Sequence, residues 1–235
     1  MGHYTTEAME RHAEAGYPKT ESLRATTKKA VRAATRGQGP ARQAAEMAFL
    51  RVFSVLALTL QPLVSNGTIY PLAAITIGVF FLLREIELAA IVVGSVHINS
   101  VNKTVTIDLP ASKTDVKGKG AKRTWGCLCK NDVREPCPYC AARVVHDWHC
   151  SVGSVADAVF FCTLLRKAVT KKAMVATLNA AAALAGEAQN LTGRSLRVTG
   201  ARFLASLNIS VVMIQLLGRW DSAIVLKYIT DAPLL

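Results

Sequence analysis

The residues best suited to chemistry fall in three separated segments. Arg84 and Glu87 stand at the end of an apolar run, Lys113 follows in Ser112-Lys113-Thr114, and a later set holds Arg194, Arg197, Arg219, Trp220 and Tyr228. Attack on a phosphodiester drives negative charge onto its two non-bridging oxygens, and planar guanidiniums deliver paired donors to such oxygens in fixed geometry. Two arginines from different segments can therefore clamp one phosphate, and losing one such donor typically costs ~3 kcal/mol of transition-state stabilisation. Arg84 could instead be a helix-end cation paired with Glu87. After a long apolar run, however, an arginine is expensive to bury without an anionic partner. A phenol, with a pKa of ~10, is a poor nucleophile until the phosphate is clamped and its proton accepted. Tyr228, in a short helical stretch, is the candidate nucleophile. Lys113, on a flexible loop, can protonate the leaving oxygen. Trp220 offers one indole donor, or simply packs against the helix that carries Tyr228.

Charge supports a polyanionic partner. Lys and Arg outnumber Asp and Glu by 28 to 16, a net +12, and the excess is distributed over the first 45 residues, 113–134 and 166–227. Such a distribution suits a protein that wraps nucleic acid, although net charge also serves solubility. Lys117, Lys119, Lys122, Arg123, Arg202 and Arg219 are the candidate contacts to backbone phosphates.

The cysteines form a second pattern. Cys127-x-Cys129, seven residues, then Cys137-Pro-Tyr-Cys140 is a four-thiol set, with His146, His149 and Cys150 as further candidates. Paired thiolates on two knuckles suit a structural zinc ion; the alternative is reduced cysteines in a surface loop, with Cys162 simply buried. The phosphate chemistry itself requires no cofactor.

The elements that must position these residues can be read coarsely. Residues 1–40 form a basic, helix-permissive N-terminal segment ending in the linker Gly37-Gln38-Gly39-Pro40, and 41–235 form the main domain. Helical patterns run over 41–60, stopped by Gln61-Pro62, and over about 71–90. The β-branched segments Ile91–Ile98 and Thr104–Leu109 predict a hairpin, followed by a third strand or mobile loop over 112–123 and a cysteine-rich insert at 126–150. Helical periodicity returns at 155–188, 196–207, 210–217 and 222–229. Helices, a small antiparallel sheet, then helices predict a mostly helical α+β domain.

The apolar runs 49–64 and 69–83 are bounded or broken by Arg51, Arg84, Glu85 and Glu87 and fall short of the ~18 residues of a membrane span, so they predict buried core helices and no membrane association. No apolar run follows a short basic stretch near the N-terminus. The expectation is an intracellular protein with reduced thiols, nuclear in a eukaryotic host and otherwise cytoplasmic.

Taken in order, Arg84-x-x-Glu87, Lys113, Gly193-Arg194-Ser195-Leu196-Arg197-Val198-Thr199-Gly200-Ala201-Arg202, Gly218-Arg219-Trp220 and Tyr228 resemble the catalytic domain of the tyrosine recombinase, or phage integrase, family over about residues 45–230. The resemblance implies two catalytic arginines, Arg84 and Arg197, with Glu87 orienting the first. It also implies a hairpin lysine, Lys113, Trp220 at the His/Trp position and Tyr228 as nucleophile. The activity implied is site-specific recombination or integration, as in mobile elements, through a 3′-phosphotyrosine. Double-stranded DNA and a DNA-dependent homo-oligomer are the implied partners. One departure stands out: Arg194 occupies the place of the family's usual His, and an arginine cannot act as a base at neutral pH. The alternative expectation is therefore a catalytically impaired, DNA-binding relic of the same fold. Residues 1–40 could supply only the last portion of the family's usual DNA-clamping N-terminal domain.

Overall fold

The computed structural model describes residues 2–34, 44–109, 120–129, 135–187, 190–220 and 224–229. The chain divides into two units, Met1–Gln43 and Ala44–Leu235. In the first, α1 (Gly2–Glu14) and α2 (Glu21–Ala34) are joined through Gly16, whose φ of +84° is one that side chains rarely adopt. Thr20 starts α2, its hydroxyl accepting from the Leu23 amide at 3.2 Å.

The second unit is built around α4 (Pro71–Phe80), in which every residue is buried. Pro71 sits in its first turn, where a missing N–H costs nothing. Such all-round burial explains why this segment carries no polar face and resembles a membrane span in composition. Among the described residues, no helix is long and apolar enough to cross a membrane.

Two long helices expected here are shorter. Of the described residues 44–60, only α3 (Phe49–Val55) is helical, because the Met47 amide leaves the helical pattern to donate to the Thr199 hydroxyl at 2.9 Å. The expected helix over 71–90 is broken between α4 and α5 (Glu85–Ala89) by Leu82, fully buried at φ +52°. A left-handed leucine costs roughly 1–2 kcal/mol, and the break turns Arg84 into the N-cap of α5.

The sheet is antiparallel with order β1-β2-β3, formed by Val96–Asn99, Thr104–Leu109 and Ala121–Gly126. Register is fixed by alternation: Val105, Ile107 and Leu109 point inward, with Val105 opposite both Ile98 and Trp125. The expected strand 91–98 starts later than predicted, since Val93–Ser95 form a 3-10 turn.

The segment 126–150, expected as a cysteine-rich insert, contributes a helix to the core. Its helix α6 (Pro138–Ser151) buries Tyr139, Ala141, Ala142, Val145 and His149 and packs against α4 and the sheet. The expected helix 155–188 is confined to α7 (Lys171–Leu184), begun by Thr170, whose hydroxyl accepts from the Ala173 amide. The apolar run before it is extended and buried: the Phe160 amide donates to the Ile91 carbonyl at 2.8 Å, and the Cys162 carbonyl accepts from Ile69 at 3.0 Å. The last three helices are α8 (Ser195–Ser206), α9 (Val211–Gly218) and α10 (Ile224–Ile229), close to the predicted bounds.

Candidate active site

Three arginines from three separate segments converge on one carboxylate. The Oε1 atom of Glu87 accepts from Nη2 of Arg84 at 3.4 Å, of Arg197 at 3.2 Å and of Arg219 at 3.0 Å. Its Oε2 accepts from the Arg84 amide at 2.8 Å and from Arg197 Nη2 at 3.0 Å. The side chains of Glu87, Arg197 and Arg219 are each only 10 or 11% exposed, and that of Arg84 is 28% exposed. Three cations thus share one carboxylate in a site largely shielded from water. Guanidiniums gathered in this way suit an oxyanion.

The ionisation of the cluster follows from the same geometry. Burial, the largest influence on Glu87, works to raise its pKa, but Arg197, the Arg84 amide, Arg219 and Arg84 together hold it below the ordinary carboxylate value. Arg197 is lowered, first by burial; Glu87 opposes this while Arg84 and Arg219 add to it. Arg84 Nε is buried and has no hydrogen-bond partner among the described residues, a donor that an incoming oxyanion could satisfy.

Small residues bring these segments together. At Gly200 a Cβ would run into the Val79 carbonyl, and at Gly78 into the Leu196 side chain, so α8 crosses α4 at close range. That approach places Arg197 beside the turn after α4, where its Nε donates to the Leu82 carbonyl at 2.8 Å. The left-handed Leu82 thus presents a carbonyl to one arginine of the cluster and starts the turn that carries the other. Gly193 performs a similar service for α5: its carbonyl accepts from the Glu85 amide at 3.2 Å, and a Cβ there would collide with the Glu85 carboxylate. Glu85 is itself buried and paired with Lys171 at 3.4 Å.

Arg219, expected as a DNA contact, also completes the cluster. It terminates α9 in the left-handed conformation, φ +55° and ψ +47°. The preceding Gly218 leaves room for the Trp220 ring, which would lie 2.7 Å from a Cβ at that position. Trp220 is held at its backbone by Gln215, whose side chain donates to the Trp220 carbonyl at 3.1 Å. Its ring meets that of Tyr228 edge-on, with centroids 5.4 Å apart at 60°. Tyr228 is half-buried on α10, which packs on α8 and α9. The phenol oxygen has no hydrogen bond among the described residues. The structure therefore forms two contact groups, Arg84-Glu87-Arg197-Arg219 and Trp220-Tyr228, joined through the Gly218-Arg219-Trp220 turn.

The other expected phosphate contacts are partly committed elsewhere. Arg202 donates through Nε to the Tyr228 carbonyl at 2.8 Å and through Nη1 to Glu46 at 2.6 Å, so it braces α10 against α8. Arg123 donates to the Leu216 carbonyl at 2.8 Å, near the end of α9. Burial foremost, and then Arg219, lower its pKa. Lys122 pairs with Asp108 at 3.1 Å on the exposed face of the sheet, where His97 reaches the same carboxylate. Arg194 is exposed at the start of α8, and its guanidinium makes no hydrogen bond or ion pair among the described residues. Lys113, Lys117 and Lys119 lie outside the described residues, in the connection between β2 and β3, which the Leu109–Ala121 pair closes.

The sulfurs of Cys127, Cys129, Cys137 and Cys140 gather in one cluster. His149, another candidate ligand, does not join them. It is buried, its ring nitrogens within 2.8 Å of the Ser154 hydroxyl and 2.9 Å of the Phe160 carbonyl oxygen. His146 Nδ1 lies 3.7 Å from Cys150 Sγ.

No protein-family model matches the sequence, and no curated protein matches it by sequence. Solved structures do match in fold. XerA recombinase aligns with a TM-score of 0.59 at 14% identity, over 97% of this chain and 76% of that one. Lambda integrase, in a dimer bound to a COC′ core site, gives 0.57 at 15% identity, over 97% of this chain and 57% of that one. XerH site-specific recombinase, in a post-cleavage complex with its difH substrate, gives 0.57 at 14% identity over 78% of this chain. The chain spans about half the length of that recombinase, 47%. At these identities the likeness establishes the fold.

Proposed function

We propose that this chain, which has the fold of a tyrosine recombinase catalytic domain, cleaves and rejoins double-stranded DNA through a covalent bond to Tyr228. The observation that carries this reading is the convergence of Arg84, Arg197 and Arg219 on Glu87. Glu87 holds the guanidiniums apart and oriented before substrate arrives, so little reorganisation remains when charge develops on the phosphate oxygens. The clustered guanidiniums suit the non-bridging oxygens of one phosphodiester, and Tyr228 lies in ring contact with Trp220, the residue after Arg219.

In the reaction, the phenol oxygen attacks phosphorus and the bond to the 5′ oxygen breaks. A 3′-phosphotyrosine and a free 5′ hydroxyl result. Lys113 supplies the proton to the leaving oxygen, and the phenol proton passes to water because Arg194 cannot accept it. Attack by a 5′ hydroxyl from a second strand reverses the sequence, conserving the phosphoester and requiring no nucleotide cofactor. Two strands exchanged in this way call for paired protomers on paired sites, hence a DNA-dependent homo-oligomer.

A second reading is a DNA-binding protein that no longer cuts, and the exposed Arg194 in place of a base favours it. A nicked oligonucleotide that loses the fragment after the cut separates the two. The first reading expects a covalent adduct from the parent protein and none from Tyr228→Phe. DNA binding with no adduct, across a library of randomised duplex sequences, would leave only the second.

A further inference from the structure

The cysteine cluster lies apart from the arginines, and phosphate chemistry makes no use of it. We propose that Cys127, Cys129, Cys137 and Cys140 form a tetrahedral site for one structural zinc ion, which fastens the edge strand β3 to α6. The four sulfurs all lie within 4.8 Å of one another. A zinc ion with Zn–S bonds of ~2.3 Å holds its sulfurs at tetrahedral edges of roughly 3.8 Å. The separations match: Cys129 to Cys140 is 3.5 Å and Cys127 to Cys137 is 3.7 Å. A disulfide would bring its two sulfurs to ~2.05 Å, and each of these pairs is far longer.

The surroundings are built for thiolate. The Cys137 sulfur accepts from the backbone amides of Leu128 at 3.4 Å and Cys140 at 3.5 Å, one from each knuckle. Such amide donors stabilise a thiolate and fix its direction toward a metal. Cys137 is also the N-cap of α6, and the Pro138-Tyr139 spacer is buried, so the second knuckle is anchored in the core. Cys127 follows β3 directly, its amide donating to the Lys103 carbonyl at 2.8 Å. All-sulfur tetrahedral ligands suit zinc, which needs no open coordination position in a structural role.

The site has mechanical leverage. In the order β1-β2-β3, strand β3 is paired on one side only. Its far end begins beyond the connection that carries Lys113, and its Arg123 holds the end of α9 through the Leu216 carbonyl. A metal at the Cys127 end therefore ties this strand to α6, which packs on α4.

The test uses the full chain purified from zinc-supplemented medium. One zinc per chain is expected by elemental analysis, released by an organomercurial together with titration of four thiols. Replacement by cobalt should give the intense visible absorption of tetrahedral cobalt with sulfur-to-metal charge transfer. Cys140→Ser should lose metal at least 10-fold, whereas Cys150→Ser, an exposed cysteine outside the cluster, should keep it. Metal removal should speed hydrogen exchange in residues 121–129 at least 10-fold. Folded wild-type chain carrying no zinc and giving no tetrahedral cobalt spectrum would overturn the site, whatever the variants do. Iron in place of zinc, or equal metal loss in Cys150→Ser, would overturn the assigned metal or ligand set. Unchanged exchange in β3 would overturn its fastening role.

Discussion

Glu87→Gln tests the arginine cluster most sharply without changing its shape. The glutamine keeps one carbonyl oxygen, but its amide group must replace either Oε1, which faces three guanidiniums, or Oε2, which faces a guanidinium and the Arg84 amide. Either choice sets a donor against donors and removes the carboxylate that three largely shielded cations share. Removing one partner of a buried pair costs about 3–5 kcal/mol. For a domain of this size each kcal/mol lowers the melting temperature by roughly 2–4 °C, so the variant should melt on the order of 10 °C lower. The same loss leaves a stronger demand for an anion. Sulfate or inorganic phosphate should therefore restore more of the melting temperature in Glu87→Gln than in the parent, and chloride at matched ionic strength should not. Thermal unfolding followed by circular dichroism, with and without sulfate, measures both quantities. A loss below about 1 kcal/mol, or rescue equal with chloride and sulfate, would mean that the cluster is not an anion-demanding unit.

Acid should remove the same contribution. Because the folded-state pKa of Glu87 lies below its ordinary value, the stability it supplies is present above its unfolded pKa of ~4.3 and is lost as the pH falls through the lower folded value. The gap in melting temperature between parent and Glu87→Gln should thus stay constant from neutral pH to about pH 5 and narrow below about pH 4. Gly200→Ala should destabilise by about 1–3 kcal/mol or more in urea unfolding, because its methyl group meets the Val79 carbonyl, which only a backbone shift can relieve. Arg202→Ala should leave the arginine cluster intact but release the Tyr228 carbonyl, lowering adduct formation roughly 10-fold or more at unchanged DNA affinity, for a lost charged hydrogen bond of ~1.5–3 kcal/mol. Arg194→His should raise the cleavage rate, with ~10²-fold or more available to a restored general base, measured on the nicked substrate.

How much could be read in advance depended on whether local residue types shared the logic of the tertiary structure. Arg84, Glu87 and Arg197 were legible because a charge placed after an apolar run must find a partner, and the motif spacing named one. The alternation in 104–109 marked β2 because one face is buried, and the helical periodicity over 196–207 and 210–217 marked α8 and α9 to within about one residue. Leu82 was not legible, since nothing in a leucine announces a left-handed turn; the close crossing at Gly200 and the Arg197 hydrogen bond hold it there. The run around Phe160 and Phe161 read as helix because its apolar content fits either period, and only its pairing with Ile91 and Ile69 selects extended backbone. The pairing of Arg219 with Glu87 was not legible, because Gly218-Arg219-Trp220 reveals nothing of the turn that aims it there. Within 126–150 the cysteines drew the eye from the apolar face that α6 buries.

The central claim is that one DNA phosphate is held by Arg84, Arg197 and Arg219 with the Tyr228 phenol in line for attack. The most direct measurement is a crystal structure of the Tyr228→Phe chain on a DNA site that it binds. The account predicts non-bridging oxygens of one phosphate within ~2.7–3.0 Å of guanidinium nitrogens from those arginines, with the ring of residue 228 directed at the phosphorus opposite the 5′ oxygen. A DNA backbone that passes elsewhere, with no phosphate oxygen within reach of the three guanidiniums, would contradict it.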